Sequence, residues 1–363
     1  MPNEVQYSDY LQLPKILNAQ DPISLSLSKE AHDEMLFIII HQTYELWFKQ
    51  ILYEVASVNE IMQKPALNDN SPELQTVVHR LGRCCSILKI LVHQIDVMET
   101  MTPMDFLDFR DLLRPASGFQ SWQFKALEAR LGLKYSDRYG QEYYISQLSA
   151  EQILLVKTAE SEKSLLELVN LWLERMPFFY EKENWKNFES SAPAENNPIQ
   201  EELPIFWAEY RQRYAQSLAE PEKNNLERFD LVFATSFLYA QTPGKEVKSE
   251  SAGALSFLAS RAALFIMLYR GYPILQLPFQ LLTQLLEIDE QLSTWRYRHI
   301  SMVHRMIGTR IGTGGSSGKE YLKAALDKHY IFKEIAQLTS FLIERRRLPA
   351  LSKEMERRLG FAV

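Results

Sequence analysis

Two cysteines in 363 residues leave no material for a disulfide framework. Cys84 and Cys85 are neighbours, and on a helix their side chains diverge by about 100°, which also excludes a paired metal site. Two buried thiols in a reducing compartment are the simplest reading. Glycine is scarce, at 13, and alternating β-branched runs bounded by turns are missing, so there is little from which to build a sheet. The longest apolar run, residues 262–269, falls far short of the roughly 20 residues that span a bilayer. The opening MPNEVQYSDY has no apolar signal core, so a cytoplasmic protein is predicted. A formal charge of −6 gives no general attraction to nucleic acid or anionic lipid, and neither is expected as a partner. HExxH, CxxC and CxxCH patterns do not occur.

What the chain has instead is 46% apolar residues arranged in long stripes at helical spacing. The fold class is all-α, as one domain over residues 1–363 with an N-terminal arm (1–27) and surface loops at 181–198 and 242–251. Ser28 is expected to cap a helix reaching about Val58, apolar almost all round and therefore buried. Ser71-Pro72-Glu73 opens a helix of about 30 residues that stops at Thr102-Pro103. A short helix over 104–113, a turn at PASG and a helix over 119–132 follow. Ser149 and Gln152 form a capping box for a helix to about Met176. Further helices are predicted over 252–270, 278–308 and 317–344. The basic run 345–347 and the KEMERR string near the C-terminus are expected to be solvated helix faces.

Seven histidines are the candidates for chemistry. His32 and Glu34 match H-x-E, but residues i and i+2 of a helix point about 200° apart and cannot share a metal. The stretch WRYRHISMVHRMIGTRIGTGGSSG, residues 295–318, carries two more histidines. With His299 at zero, Trp295, Met302 and Met306 fall at about −40°, −60° and −20°, and Val303 at about +40°. His299 thus lies within the apolar arc, whereas His304, at about 140°, lies beyond its edge. An imidazole among apolar residues suits either a satisfied core histidine or an axial haem ligand. Phe37, His41, Tyr44 and Phe48 line up at i, i+4, i+7 and i+11, placing a second imidazole in an aromatic stripe with the same two readings. Two such histidines on different helices are what the two sides of a haem pocket require. Arg110 shares a helix face with Phe106; it could hold a carboxylate in its fork or pair with Asp105 or a neighbour. The segment GTGGSSG follows a helix instead of a strand, so it is no Walker loop. It is either a connector or, through Thr313 and its amides, a contact for a small polar ligand.

The strings YSDYLQL, HDEMLFIIIHQTYELWFKQ, FRDLLRPASGFQS and WRYRHISMVHRMIGTRIGTGGSSG resemble those of the tryptophan 2,3-dioxygenase family, in order and spacing, from about residue 7 to beyond Gly318. The resemblance implies a homotetrameric all-α haem protein that uses ferrous haem b and O₂ to open the pyrrole ring of L-tryptophan, giving N-formyl-L-kynurenine, the first step of the kynurenine pathway. It implies His299 as the proximal haem ligand and His41 as the distal histidine that accepts the indole N–H. Phe37 and Phe106 pack on the indole, Arg110 holds the carboxylate, and Thr313 with a haem propionate receives the ammonium group. Tyr7 and Tyr10 match an N-terminal segment that completes the site of an adjacent subunit, and Ser117 and Trp295 match cofactor-side pocket positions. Lys125 stands where close relatives are expected to carry an arginine near a propionate, and Phe106 where some bacterial members have tyrosine. A haem enzyme acting on another indole or aromatic amino acid, or a non-catalytic haem sensor, are the alternatives.

Overall fold

Most of the helix signals are taken up where the pattern puts them. The computed structural model describes residues 5–138, 145–175, 205–233, 255–310, 312 and 329–360; within these every regular element is helical, and no strand occurs. The arm comprises three short helices, α1 (Tyr7–Tyr10), α2 (Leu13–Leu17) and α3 (Ile23–Ser26). The long helices α4 (Asp33–Met62) and α5 (Pro72–Met98) follow, then α6 (Pro103–Arg110) and α7 (Trp122–Leu131). Next come α8 (Ala150–Ser161), α9 (Leu165–Glu174), α10 (Ile205–Ser217), α11 (Asn224–Phe233), α12 (Phe257–Leu268), α13 (Gln276–Ile307), α14 (Lys333–Gln337) and α15 (Lys353–Leu359). Ser71 accepts from the Leu74 N–H at the start of α5, and Thr102 and Asp105 form a reciprocal capping box on α6. The Asp105 carboxylate is therefore committed to its own helix terminus. Among the described residues no helix is long and apolar enough to cross a membrane.

Several expectations are corrected. Ser28 does not cap α4: it turns into the left-handed region at φ 56°, and α4 begins five residues later at Asp33. The anchor is Glu34, whose buried carboxylate accepts the Ile23 and Ser24 N–H groups, both at 2.9 Å. Those are first-turn donors of α3, which lack partners within their own helix. The helix predicted from Ser149 to about Met176 is two, because Ser164 and Glu167 build a second capping box that starts α9 afresh. The part of the predicted 317–344 helix that is described is broken. The Asp289 carboxylate takes the Ile331 and Phe332 N–H groups at 3.0 and 2.6 Å, so these residues enter a loop ahead of α14. A 3₁₀ turn covers Leu338–Phe341, and Arg345–Arg347 is another such turn and not a helix face; KEMERR does lie on α15. The loops expected at 181–198 and 242–251 lie outside the described residues.

The core is organised by α5, which packs on α4 along one side and on α13 along the other. Val55, Val58, Leu74, Val77, Leu81, Leu281 and Leu285 are fully buried there. Each contributes about 1.5–3 kcal/mol of burial free energy. Cys84 and Cys85 are buried free thiols in this interface, pushed up to about 12 by desolvation. α4 is not buried all round, however: Ile39, Leu46 and Tyr53 remain exposed at seven-residue spacing, a single apolar stripe. A second, aromatic part of the core joins α10, α11 and α12 through Phe206, Tyr210, Phe229, Phe233 and Phe265. α6 touches both the N-terminal half of α4 and α13, closing one end of the α4–α5–α13 layer. Gly308 ends α13 at φ +58°, donating its N–H to the His304 carbonyl.

The Glu34 clamp predicts a measurable local effect. Glu34→Ala should leave two backbone donors unpaired at a cost of about 1–3 kcal/mol. Amide exchange at Ile23 and Ser24 should then accelerate about tenfold or more; unchanged protection would show that the carboxylate does not hold the arm.

Candidate active site

At the end closed by α6, residues far apart in sequence converge. From α4 come Phe37 and His41, whose rings lie 4.1 Å apart. From α6 come Phe106, stacked on Phe37 at 5.8 Å, and Arg110, which is buried. From α13 come Trp295 and His299, parallel within 8° at 5.4 Å. Ile40, Met98, Met101, Phe109 and Met306 form the apolar wall, with Met302 and Ile307 packed against it. Sequence reasoning missed Phe109, which meets both Phe37 and Phe106 edge-on at 5.6 and 5.4 Å. The alternation of inward rings in FLDFR was the available signal.

The two imidazoles lie near enough for the charge of His41 to act on His299. Burial is the leading cause that lowers the pKa of each. His299 is drawn down to about 4 by burial first and by the charge of His41 second. At neutral pH its ring nitrogens are therefore unprotonated or neutral N–H, the state in which imidazole ligates iron. His41 donates from Nδ1 to the Phe37 carbonyl at 2.7 Å, because a carbonyl can only accept. That bond leaves Nε2 as a lone-pair acceptor. His304 is exposed, as the helical arc predicted.

The flanking positions divide. Lys125 on α7 is buried, and desolvation lowers its ammonium to about 8, opposed by Glu128 and assisted by Arg138. Phe124 beside it packs on Trp295 at 5.1 Å, which brings α7 against the Trp295–His299 turn of α13. Ser117 caps the 3₁₀ turn Gly118–Gln120, its hydroxyl accepting from the Phe119 N–H, and is half-buried. Tyr7 and Tyr10 are 74% and 75% exposed, so their own chain does not pack over them. Thr313 lies outside the described residues. The H-x-E string is absorbed by structure, since Glu34 is spent on α3. Among the described residues no three histidine, cysteine or acidic side chains converge on a metal. Two neighbouring imidazoles of lowered pKa on different helices, among packed aromatic rings and with buried Lys125 and Arg110 on the adjoining helices, fit instead an iron carried in a flat apolar macrocycle whose acidic side chains need positive partners.

The tryptophan 2,3-dioxygenase family pattern matches residues 2–342. The chain is 44% identical to the tryptophan 2,3-dioxygenase of Bdellovibrio bacteriovorus, over 98% of both chains. It is 41% identical to that of Dictyostelium discoideum, covering 99% of this chain and 88% of the relative, and 41% identical to that of Rattus norvegicus, covering 95% and 84%.

The lowered histidine pKa values set a pH dependence. Unfolded histidine binds a proton near pH 6.5, whereas folded His299 does so only near 4, so the unfolded state holds more protons between those values. The stability contributed by neutral His299 should be present above about pH 6.5 and be lost as the pH falls towards 4. Thermal melts of the haem-free protein over this range should show a steeper decline for wild type than for His299→Leu; parallel curves would refute the assignment.

Proposed function

The chain belongs to the tryptophan 2,3-dioxygenase family, and on that premise we propose how its residues divide the work. The activity is that of the family: both atoms of O₂ are added across the indole C2–C3 bond of L-tryptophan, which opens the pyrrole ring to N-formyl-L-kynurenine. The observation that carries the assignment of roles is the proximity of His41 to His299, close enough for the charge of one to act on the other, each ring packed against an aromatic neighbour.

Haem, when bound, supplies the oxygen chemistry. His299 would hold its iron, with the Trp295 ring backing the imidazole. The buried ammonium of Lys125 would pair with an acidic side chain of the haem. On the distal side the indole lies against Phe37 and Phe106, which Phe109 braces from behind. His41 accepts the indole N–H at Nε2, the nitrogen left free by its bond to the Phe37 carbonyl. This orients the ring without removing its proton, since electrophilic addition to an indole does not require the anion. Arg110 takes the substrate carboxylate in a charge-assisted fork inside low-dielectric protein. Thr313 receives the ammonium group. Two charged anchors at one end and an aromatic slot at the other fix the reacting bond in position, which is where most of the protein's contribution lies.

The assembly reading is a homotetramer of single-domain chains, residues 1–363, in which the arm of one subunit reaches the pocket of another. Tyr7, Tyr10, Ile16, Leu17, Leu25 and Leu27 are exposed on the arm, and Ile39, Leu46 and Tyr53 form an apolar stripe on α4. Apolar surface of this extent on a folded chain is what a partner subunit covers.

Anaerobic reduction of the haem-loaded protein followed by L-tryptophan and O₂ should yield N-formyl-L-kynurenine. A haem spectrum without that product would return the case to another indole substrate or a non-catalytic haem protein. His299→Ala should abolish haem uptake, and an intact haem spectrum in that variant would overturn the ligand role. His41→Ala should lower kcat by about 2- to 10-fold, the worth of one neutral hydrogen bond. Arg110→Ala should raise the tryptophan KM by roughly 10- to 100-fold, equivalent to the 1.5–3 kcal/mol of a charged hydrogen bond; an unchanged KM would count against the carboxylate role.

A further inference from the structure

Behind the proximal wall lies a group of buried charges that the roles above do not use. Glu128 of α7 is the hub. Its Oε1 accepts from Arg296 Nη2 of α13 at 2.6 Å, and its Oε2 accepts from Arg138 Nη1 at 2.5 Å. Arg296 also donates from Nη1 to the His329 carbonyl at 3.2 Å, and the His329 ring lies 3.6 Å from Glu128 Oε1. Arg138 donates from Nη2 to the Lys125 carbonyl at 3.2 Å. Glu128, Arg138, Arg296 and His329 are all buried. Burial alone would push the Glu128 carboxyl up, but Arg138, His329 and Arg296 outweigh it and hold it well below the usual carboxylate range.

Such a group is a poor device for stability alone. Charges lose their hydration on burial, and an apolar replacement of similar volume is often as stable or more so. What a bidentate carboxylate between two guanidinium forks does supply is direction: it defines the rotation of α13 about its axis and its height against α7. Arg296 precedes His299 by three residues, about 60° away on the same side of the helix and roughly 4.5 Å along it. Trp295 continues the link, stacked on His299 at 5.4 Å and packed on Phe124 of α7 at 5.1 Å. Any rotation of α13 on α7 therefore turns the His299 ring.

We propose that Glu128 is a positioning residue for haem: through Arg296 it sets where His299 stands relative to Lys125, and so the separation of the proximal nitrogen from the propionate anchor. The inference rests on the haem reading of His299 and Lys125 given above. Lys125 and Glu128 share one turn of α7, and His299 and Arg296 share one turn of α13, so the ion pair spans the same two helices as the cofactor. Outer partners of this kind commonly change metal affinity about 10- to 100-fold when removed.

The test uses the haem-loaded, full-length protein. Glu128→Gln keeps the side-chain volume and removes the charge. Haem transfer to an excess of an apo-globin acceptor should be at least about tenfold faster than from wild type, and the ferrous iron–histidine stretching band in resonance Raman should shift or broaden. Arg296→Lys keeps the charge but cannot reach Glu128 and the His329 carbonyl together; it should displace the same band, and serves if Glu128→Gln does not fold. A lowered unfolding midpoint with wild-type haem transfer and a wild-type iron–histidine band would mean a merely structural cluster and would overturn the proposal. Haem uptake retained by His299→Ala would instead remove the underlying reading, and the proposal with it.

Discussion

The close packing of the helix Gln276–Ile307 along Pro72–Met98 is the contact on which the rest depends. Pro72–Met98 in turn lies against Asp33–Met62, so one central helix holds the two histidine-bearing helices in a common layer. Helices of 27–32 residues are about 40–48 Å long. Over that length a fully interdigitated apolar seam leaves no freedom of register, because a shift by one turn would expose a whole row of leucines. The relative placement of His41 and His299 is therefore fixed by the seam in which Leu81, Leu88, Leu281 and Leu285 are buried.

Polar groups inside this structure perform tasks that apolar packing cannot. Glu34 gathers two backbone donors of the arm and fixes the direction in which the chain enters the helix Asp33–Met62. Asp289 does the same for Ile331 and Phe332, halting the chain as it returns to α13. Desolvation pushes the Asp289 carboxyl up to about 6 against those two N–H groups and Arg296. Glu128 joins α7 and α13 where they flank the pocket. Each carboxylate is saturated by donors, the condition under which a buried charge can persist. His41, by contrast, has its Nδ1 held by the Phe37 carbonyl, which directs Nε2 as the remaining acceptor.

Legibility in the sequence followed the range of the interaction concerned. The caps at Ser71 and at Ser149 with Gln152 are local patterns, and both formed as read; the Thr102 and Asp105 box is equally local but was read only as a stop. The break before α9 was equally local, since Ser164 and Glu167 spell another capping box; the apolar stripe across it masked the signal. Ser28 failed for the opposite reason. Its position next to an apolar run favoured a cap, but Glu34 reaches back to residues 23 and 24 and turns Ser28 out of the helix. The loop before α14 could not be read at all, because Asp289, which creates it, lies on a helix more than forty positions earlier.

For the candidate site the division is similar. Helical periodicity alone placed His299 inside an apolar arc and His304 outside it, and placed His41 in an aromatic row; sequence motifs then carried the family. These depend on spacing along one helix, and a helix carries its spacing wherever it packs. Tertiary structure alone decided that His41 comes close enough to His299 for its charge to be felt there, that Phe109 braces Phe37 and Phe106, and that Glu128 meets Arg296 across two helices. Those facts depend on how helices cross, which is settled by the complementarity of whole buried surfaces and is written in no single segment of the chain.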